Sequence, residues 1–537
     1  MQDSIEDLLD DDYSRLSLRV SQHPKNLAYW EELLNHLLDK ASPLNKAIDK
    51  RFADLIRYTY NAMLSQFPFL ENYHIDYALF EYKLGNVKEM HHIFISGLQK
   101  MNNMSLLLWV EYLKICNEVI SNNKQLFRKY ELAEASVGLH FFSGEFWEMY
   151  LNQLLLRCKT PRRYFIVLRK VLELPIYSYS IFYAKWLKHI DDIRDLSQLT
   201  MMAPKDELAK KLKVDVNQAS RRGPRLQAAK KQLKKYTKEL YMVNQYQILE
   251  MYNLFEVHLK THFYCSAQTL IDYSQISTWV RYLDYSINIR TPALTQLNFQ
   301  RALLPLAHYE VIWLKYANWL LESEGDLISC RSILMQGLKM SHKKAKILDK
   351  LNSVMISLGE YKQLSSLYQG LHAAYGDKIE ETDDFELFLD YLQFQTFAGT
   401  ISEELTEINL PKRQSLILDI VMKRLSYGEH KIGQEELLHV ICEMYSTLNR
   451  QIIEEKVFRP IIDQKWDYYL TKGKFWFEYC HRVWFDPDSS YLEKRKFIVK
   501  HIWPAASQYR EHARPLLEQF CQSYLPEEFE SFEDIFY

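Results

Sequence analysis

A tryptophan followed three residues later by a tyrosine recurs along this chain, at Trp109/Tyr112, Trp147/Tyr150, Trp279/Tyr282, Trp313/Tyr316 and Trp476/Tyr479. Trp30/Leu33, His74/Tyr77 and Phe388/Tyr391 are weaker versions of the same pair. Residues three apart share one helical face, so each pair marks a helix with an aromatic stripe. The second positions lie 35 residues apart from Tyr77 to Tyr112, 38 from Tyr112 to Tyr150 and 34 from Tyr282 to Tyr316. A period in the mid-thirties is that of a helix–turn–helix solenoid, in which no unit buries its apolar face without a neighbour.

The stretch Phe299–Leu338 displays the unit in full. Trp313, Tyr316 and Leu320 define one helical face. Gly325 supplies the left-handed residue that ends this helix, and Asp326 is placed to cap the next. Leu327, Arg331, Leu334 and Leu338 then continue at helical spacing. Gly85 and Gly359 stand at corresponding turns, with Gly97-Leu98, Gly337-Leu338 and Gly370-Leu371 following at a nearly constant distance. Six of only 14 glycines fall in this pattern, which decides for repeats over a bundle with chance aromatics.

The expected fold class is therefore all-α, a two-armed alpha-alpha solenoid. Residues 1–200 form an N-terminal arm, 201–262 a basic junction with a long connecting helix, and 263–537 a C-terminal arm. The connecting helix is expected over Leu226–Phe263, with Tyr236, Leu240, Val243, Tyr246 and Leu249 on its packed face. Thr400–Lys412 is expected to be an exposed loop. The acidic, aromatic tail YLPEEFESFEDIFY reads as a cap for the preceding repeat or as a docking segment. Near it, Trp466, Phe475, Trp476, Trp484, Phe485 and Trp503 are expected to present an apolar face to a partner.

Composition narrows the function classes. Hydrophobic residues at 47%, with 15 prolines and 14 glycines in 537 residues, belong to a folded chain. A net charge of −2 argues against a protein coated in RNA. The seven cysteines are scattered with no C-x-x-C pair, which speaks against a zinc ribbon or disulfide scaffold and for a reducing compartment. The acidic opening MQDSIEDLLDDDYSRL is unlike a signal peptide, and no run of about 18 apolar residues marks a membrane span. The expectation is a soluble intracellular protein.

No nucleophile elbow, phosphate loop, dinucleotide fingerprint or zinc-protease helix is present. His91 and His92 are helix neighbours that point apart and cannot share a metal. The expected catalytic, cofactor and metal sets are all none. One site candidate remains. Arg221, Arg222 and Arg225 surround Gly223-Pro224, and Lys230, Lys231, Lys234 and Lys235 follow. That spacing suits a bipartite nuclear import signal, and the same charges could hold RNA phosphates. A solvated face of a linker helix remains a third reading. Base-stacking aromatics on a basic sheet are missing, so sequence-specific RNA reading is not supported.

The repeat spacing, with FQRAL ahead of Pro305 and the Trp-x-x-Tyr helix, resembles the half-a-TPR (HAT) repeat. The segments NLAYWEELLN, LENYHIDYALFEYKLGN, GLHFFSGEFWEMYL, KDELAKKLKVD and LNFQRALLPLAHYEVIWLKYANWL resemble the fungal HAT-repeat pre-mRNA-processing factors of the U1 small nuclear ribonucleoprotein. This resemblance runs from about Asn26 to Phe529. It implies a nuclear, non-catalytic scaffold in 5′ splice-site recognition. It further implies a sister HAT protein, of the pre-mRNA-processing factor thirty-nine type, bound through the C-terminal arm. Core proteins of the particle would bind the N-terminal arm, with U1 RNA contacted mostly indirectly and no membrane or small-molecule substrate involved. A HAT scaffold of mRNA 3′-end cleavage and a TPR-like peptide-binding adaptor are the alternatives.

Overall fold

The computed structural model describes residues 10–46, 48–202, 210, 223–374, 379–389, 391–393, 410–444 and 453–537. Every regular element among them is a helix. No helix there is long and apolar enough to cross a membrane. The chain divides into two compact units, Met1–Glu324 with Met340–His342, and Gly325–Lys339 with Lys343–Tyr537.

The first unit is a run of antiparallel helix pairs: Leu27–Ala41 with Lys50–Gln66, Glu71–Lys83 with Val87–Lys100, Leu106–Val119 with Asn123–Val137, and Gly144–Arg157 with Arg162–Val171. Each first helix packs on its own partner and on the first helix of a neighbouring pair, as Glu71–Lys83 does on Leu106–Val119. That nearest-neighbour stacking is the solenoid arrangement the period requires.

The turns show why the glycines recur. Gly85 has φ +81° and Gly359 φ +73°, a conformation that costs a side chain bearing Cβ. It lets the next N–H reach back five residues, Asn86 to Glu81 O and Glu360 to Met355 O, at 2.9 and 3.0 Å. These bonds satisfy carbonyls that the helix end leaves orphaned. The expected cap on the following helix also forms. Asp326 Oδ1 accepts from the N–H groups of Ile328 and Ser329 at 3.1 and 3.0 Å.

The connecting helix spans Pro224–Leu254, shorter than the expected Leu226–Phe263, and a 3-10 turn follows at Glu256–His258. Its buried residues are Leu226, Ala229, Leu233, Thr237, Asn244, Ile248 and Met251. The face expected to pack does so only in part: Tyr236 and Leu240 are half-buried, whereas Val243 and Tyr246 are exposed, at 67% and 73%, and so is Leu249. Polar groups set the rotation instead. Trp186 Nε1 donates to Thr237 Oγ1 at 3.2 Å, and Asn244 Nδ2 donates to Leu172 O at 2.7 Å. Tyr241 stacks on Tyr183 at 4.3 Å.

Helices Tyr273–Ile289 and Pro292–Leu306 belong to the first unit, and Pro292–Leu306 contacts Asn123–Val137. Phe69 stacks on Trp313 at 6.3 Å. This compact unit thus extends past residue 262.

In the second unit, Ala345–Ser357 pairs with Tyr361–Ala374, and Gly473–Trp484 packs on Arg510–Tyr524. The expected loop at Thr400–Lys412 lies outside the described residues up to 409, and Leu410–Leu425 is helical. The tail forms the helix Phe529–Phe536, which lays Phe532 edge-on against Trp503 at 5.2 Å. Phe475, Trp476 and Trp503 are buried within the chain, Trp466 and Trp484 are half-buried, and Phe485 is exposed. Half of the expected aromatic face is therefore spent on internal packing, while Trp466, Trp484 and Phe485 keep part of their surface in solvent.

Candidate functional site

All ten side chains of the five Trp-x-x-Tyr pairs are buried. Their two positions do different work. The indole N–H of Trp109 donates to Asn103 O at 2.7 Å, that of Trp313 to Ala307 O at 2.7 Å, and that of Trp476 to Leu470 O at 2.9 Å. Trp30 makes the same bond to Pro24 O at 2.8 Å. In each case the acceptor lies six residues upstream, in the turn that enters the helix. His74 stands in for tryptophan: its Nε2 reaches Pro68 O, also six residues upstream, at 3.2 Å. Trp147 reaches farther, to Gly138 O at 3.0 Å. Trp279 differs again, since its buried Nε1 has no hydrogen-bond partner and its ring faces the Arg301 guanidinium.

The tyrosine position stacks on a ring from the preceding helix or turn. Tyr77 lies on Tyr60, Tyr150 on Tyr130, Tyr282 on Phe255, Tyr316 on Phe299 and Tyr479 on Phe458, with centroids 4.3–4.8 Å apart and planes within 13°. Tyr112 tilts by 30° on Phe94. Stacked rings fix both spacing and rotation between helices, which a Leu pair would leave looser. The signature is thus a joint: the first residue fastens the turn, the second fastens the neighbouring helix.

A buried ion pair lies beside one of these joints. Arg301, from the FQRAL segment, donates to both oxygens of Glu256 at 2.8 and 2.9 Å. Tyr282 Oη donates to the same carboxylate at 2.8 Å, and Asn298 Oδ1 accepts from Arg301 at 3.2 Å. Burial pushes the Glu256 carboxyl up, and the guanidinium and phenol more than offset it, so it lies below its ordinary value. Arg301 sits inside the FQRAL segment, but nothing in the sequence marked either it or Glu256 as a member of a buried pair.

The basic cluster does not behave as one patch. Arg221 and Arg222 lie outside the described residues. Arg225, Lys231 and Lys235 are exposed. Lys230 and Lys234, one turn apart, turn inward: Lys230 Nζ donates to Asp191 O at 2.8 Å, and Lys234 pairs with Asp191 Oδ1 at 2.5 Å. Asp191 lies in the last turn of Tyr179–Asp192, where cations meet the negative end of a helix. These two lysines therefore anchor the connecting helix, while Lys231 and Lys235 face solvent.

Among the described residues no group of three or more His, Cys, Asp or Glu side chains could hold a metal ion. Six cysteines are buried and Cys158 is half-buried.

The sequence matches known families along most of this architecture. The PRP39 N-terminal HAT repeat matches residues 14–188, and the PRP39 C-terminal HAT repeat matches 250–382. The U1 small nuclear ribonucleoprotein component PRP42 of Saccharomyces cerevisiae is 50% identical over 534 residues, covering 98% of each chain. Pre-mRNA-processing factor 39 of Xenopus laevis is 22% identical over 334 residues, 58% of this chain and 49% of that protein. Its namesake in Schizosaccharomyces pombe is 21% identical over 343 residues, 60% of this chain and 54% of that protein.

Proposed function

The chain belongs to the HAT-repeat family that includes the U1 small nuclear ribonucleoprotein component PRP42 and the pre-mRNA-processing factors 39, and from that premise we propose that it is a non-catalytic scaffold subunit of the U1 particle. In that role it supports 5′ splice-site recognition and early spliceosome assembly in the nucleus. The observation that carries this reading is half-identity to a U1 component over 98% of both chains. The 3′-end cleavage scaffold and the peptide adaptor give way to it. A stack of helix pairs locked by buried aromatic joints supports a scaffold, since such surfaces present long contact faces.

The finer assignments follow the family. The arm over 263–537 pairs with a sister HAT protein of the factor 39 type. The arm over 1–200 meets core proteins of the particle, and the junction over 201–262 connects the two. U1 RNA is held mostly through those proteins. Arg221, Arg222, Arg225, Lys231 and Lys235 serve nuclear import or RNA phosphates, with Lys230 and Lys234 as the anchor of their helix.

Affinity purification of the tagged full chain, with sequencing of the co-eluted RNA, tests the proposal. U1 RNA should dominate the eluate, with a factor 39 protein among the partners. Another small nuclear RNA, or none enriched over background, would overturn it.

A further inference from the structure

The first unit contains a groove that the repeat architecture does not explain. Its volume is about 390 Å³, within the range of roughly 300–1,000 Å³ typical of ligand-holding clefts. Its walls come from Leu106–Val119, the start of Gly144–Arg157, the segment after the connecting helix, and Pro292–Leu306. Three large apolar side chains line it and remain in solvent: Leu107 at 40% exposure, Phe142 at 39% and Phe263 at 62%. Elsewhere in this unit most rings and aliphatic chains of that size are used in packing, so an exposed set gathered around one concavity marks a binding surface.

Both signs of charge occur in the groove wall, but Arg301 is neutralised by its buried pair with Glu256, and burial holds His140 and His262 toward their uncharged forms. Glu111 and Glu145 share a single cation, Lys114, at 2.8 and 2.9 Å. One positive charge between two carboxylates leaves a net negative rim. Glu71, in the wall, accepts a hydrogen bond from Ser105 Oγ at 2.5 Å. Burial raises its carboxyl to about 7 even so. A desolvated carboxyl with a neutral donor is a group that an incoming cation would stabilise.

We propose that this groove binds an extended peptide segment of a partner protein in which apolar side chains flank an arginine or lysine. Leu107, Phe142 and Phe263 take the apolar side chains, and Glu111, Glu145 and Glu71 take the cation. An extended strand suits the site because alternate side chains would point to the apolar floor and to the acidic rim. Nucleic acid is disfavoured, since phosphates would meet the same carboxylates. The site deepens the reading of this region as a protein-contacting arm and rests on that reading only for the partner being a protein.

The test uses the full chain and a fluorescein-labelled peptide of roughly eight residues alternating leucine and arginine, read by anisotropy. Saturable binding is expected, weakening with added salt because the rim is exposed. The double variant Glu111→Gln with Glu145→Gln should weaken it at least about tenfold, and Phe263→Ser should weaken it independently. The matched control Glu131→Gln with Glu148→Gln removes the same charge elsewhere and should leave binding unchanged. Thermal melts of each variant separate loss of binding from loss of fold, and Phe263, being exposed, offers a second route should the Gln pair melt early. Equal binding of a leucine–glutamate peptide, competition by single-stranded RNA, or equal loss in the control would overturn the proposal. So would absence of peptide binding. Any of these results alongside U1 RNA in the pull-down would remove the groove and leave the scaffold standing.

Discussion

Arg301 and Glu256, 45 residues apart in sequence, face each other through two hydrogen bonds of 2.8 and 2.9 Å in a site where both side chains are buried. The pair joins the 3-10 turn after the connecting helix to the helix Pro292–Leu306. Breaking it from one side strands a charge in low dielectric, which costs about 3–5 kcal/mol. Arg301→Met should therefore lower the stability of the first unit by that order in urea denaturation. Replacing both partners, with Glu256→Leu and Arg301→Met, should recover most of the loss. If the double variant is as unstable as the single one, the pair's value lies in shape rather than charge.

The tryptophan position makes a graded prediction. Trp313→Phe keeps a large ring but leaves Ala307 O without its donor, in a buried turn. A lost hydrogen bond with one partner left unsatisfied costs about 1–3 kcal/mol. Trp279→Phe removes an N–H that has no partner, and it should cost less than Trp313→Phe. Equal losses at the two sites would mean that ring volume, not the hydrogen bond to the turn, sets the residue.

The lysines of the connecting helix should separate into two pairs. Lys230→Gln with Lys234→Gln removes the contacts to Asp191. One is a hydrogen bond to a backbone carbonyl and the other an ion pair, both partly exposed, so the cost should stay below about 1 kcal/mol. Lys231→Gln with Lys235→Gln should leave stability unchanged. If the cluster directs import, this second pair combined with Arg221→Gln and Arg222→Gln should reduce nuclear accumulation of a fluorescent fusion. Unaltered accumulation would assign these charges to solvation.

Much of this architecture was legible before any coordinate. The mid-thirties period, the turn glycines and the aromatic pairs gave the helix pairs, because each follows from backbone geometry and local burial. The rotation of the connecting helix was not legible. Hydropathy placed Val243, Tyr246 and Leu249 inward, whereas Thr237 and Asn244 turn inward because Trp186 and Leu172 O offer them partners. No local pattern announces a hydrogen bond to a residue 51 or 72 positions away. The same holds for Glu256, for the division of the lysines and for the groove around Phe263. The aromatic count near Trp476 was only half legible for a related reason: Phe475, Trp476 and Trp503 pack inside the chain, and Trp466, Trp484 and Phe485 reach the surface. Rings signal packing, and only the fold decides whether the packing is internal.

Two groups on the helix Glu71–Lys83 should respond to pH in opposite senses. Burial, aided by Lys100, lowers His74 from 6.5 to about 4. Between those values the unfolded chain binds a proton that the folded chain does not, so stability is lost as pH falls. The full difference is on the order of 3 kcal/mol. Burial raises Glu71 from 4.5 to about 7, so its contribution is lost as pH rises through that window. Relative to the parent, His74→Gln should gain stability as pH falls from 6.5 to 4. Glu71→Gln should gain it as pH rises from 4.5 to 7. Melting temperatures across pH 4–8 test both, and parallel curves for parent and variants would refute the assignments.

The helix Phe529–Phe536 settles between the two roles read for the tail by what it covers. Phe532 and Phe536 are buried, and Phe532 meets the fully buried Trp503 edge-on. Tyr537 lies under the Arg514 guanidinium, 3.7 Å from its centroid. A segment that docks on a partner would leave its rings in solvent until binding; Phe532 and Phe536 are consumed by the chain itself, and Tyr537 stays exposed. Phe532→Ala should therefore destabilise the second unit by about 3–5 kcal/mol, the cost of truncating a buried ring. Hydrogen exchange should show the loss of protection first in Gly473–Trp484 and Arg510–Tyr524, since stacked repeats pass damage to neighbours. Binding to a factor 39 protein should weaken only as far as the fold does. A Phe532→Ala variant with an unchanged melting curve but lost pairing would reverse the assignment and make the tail the docking element.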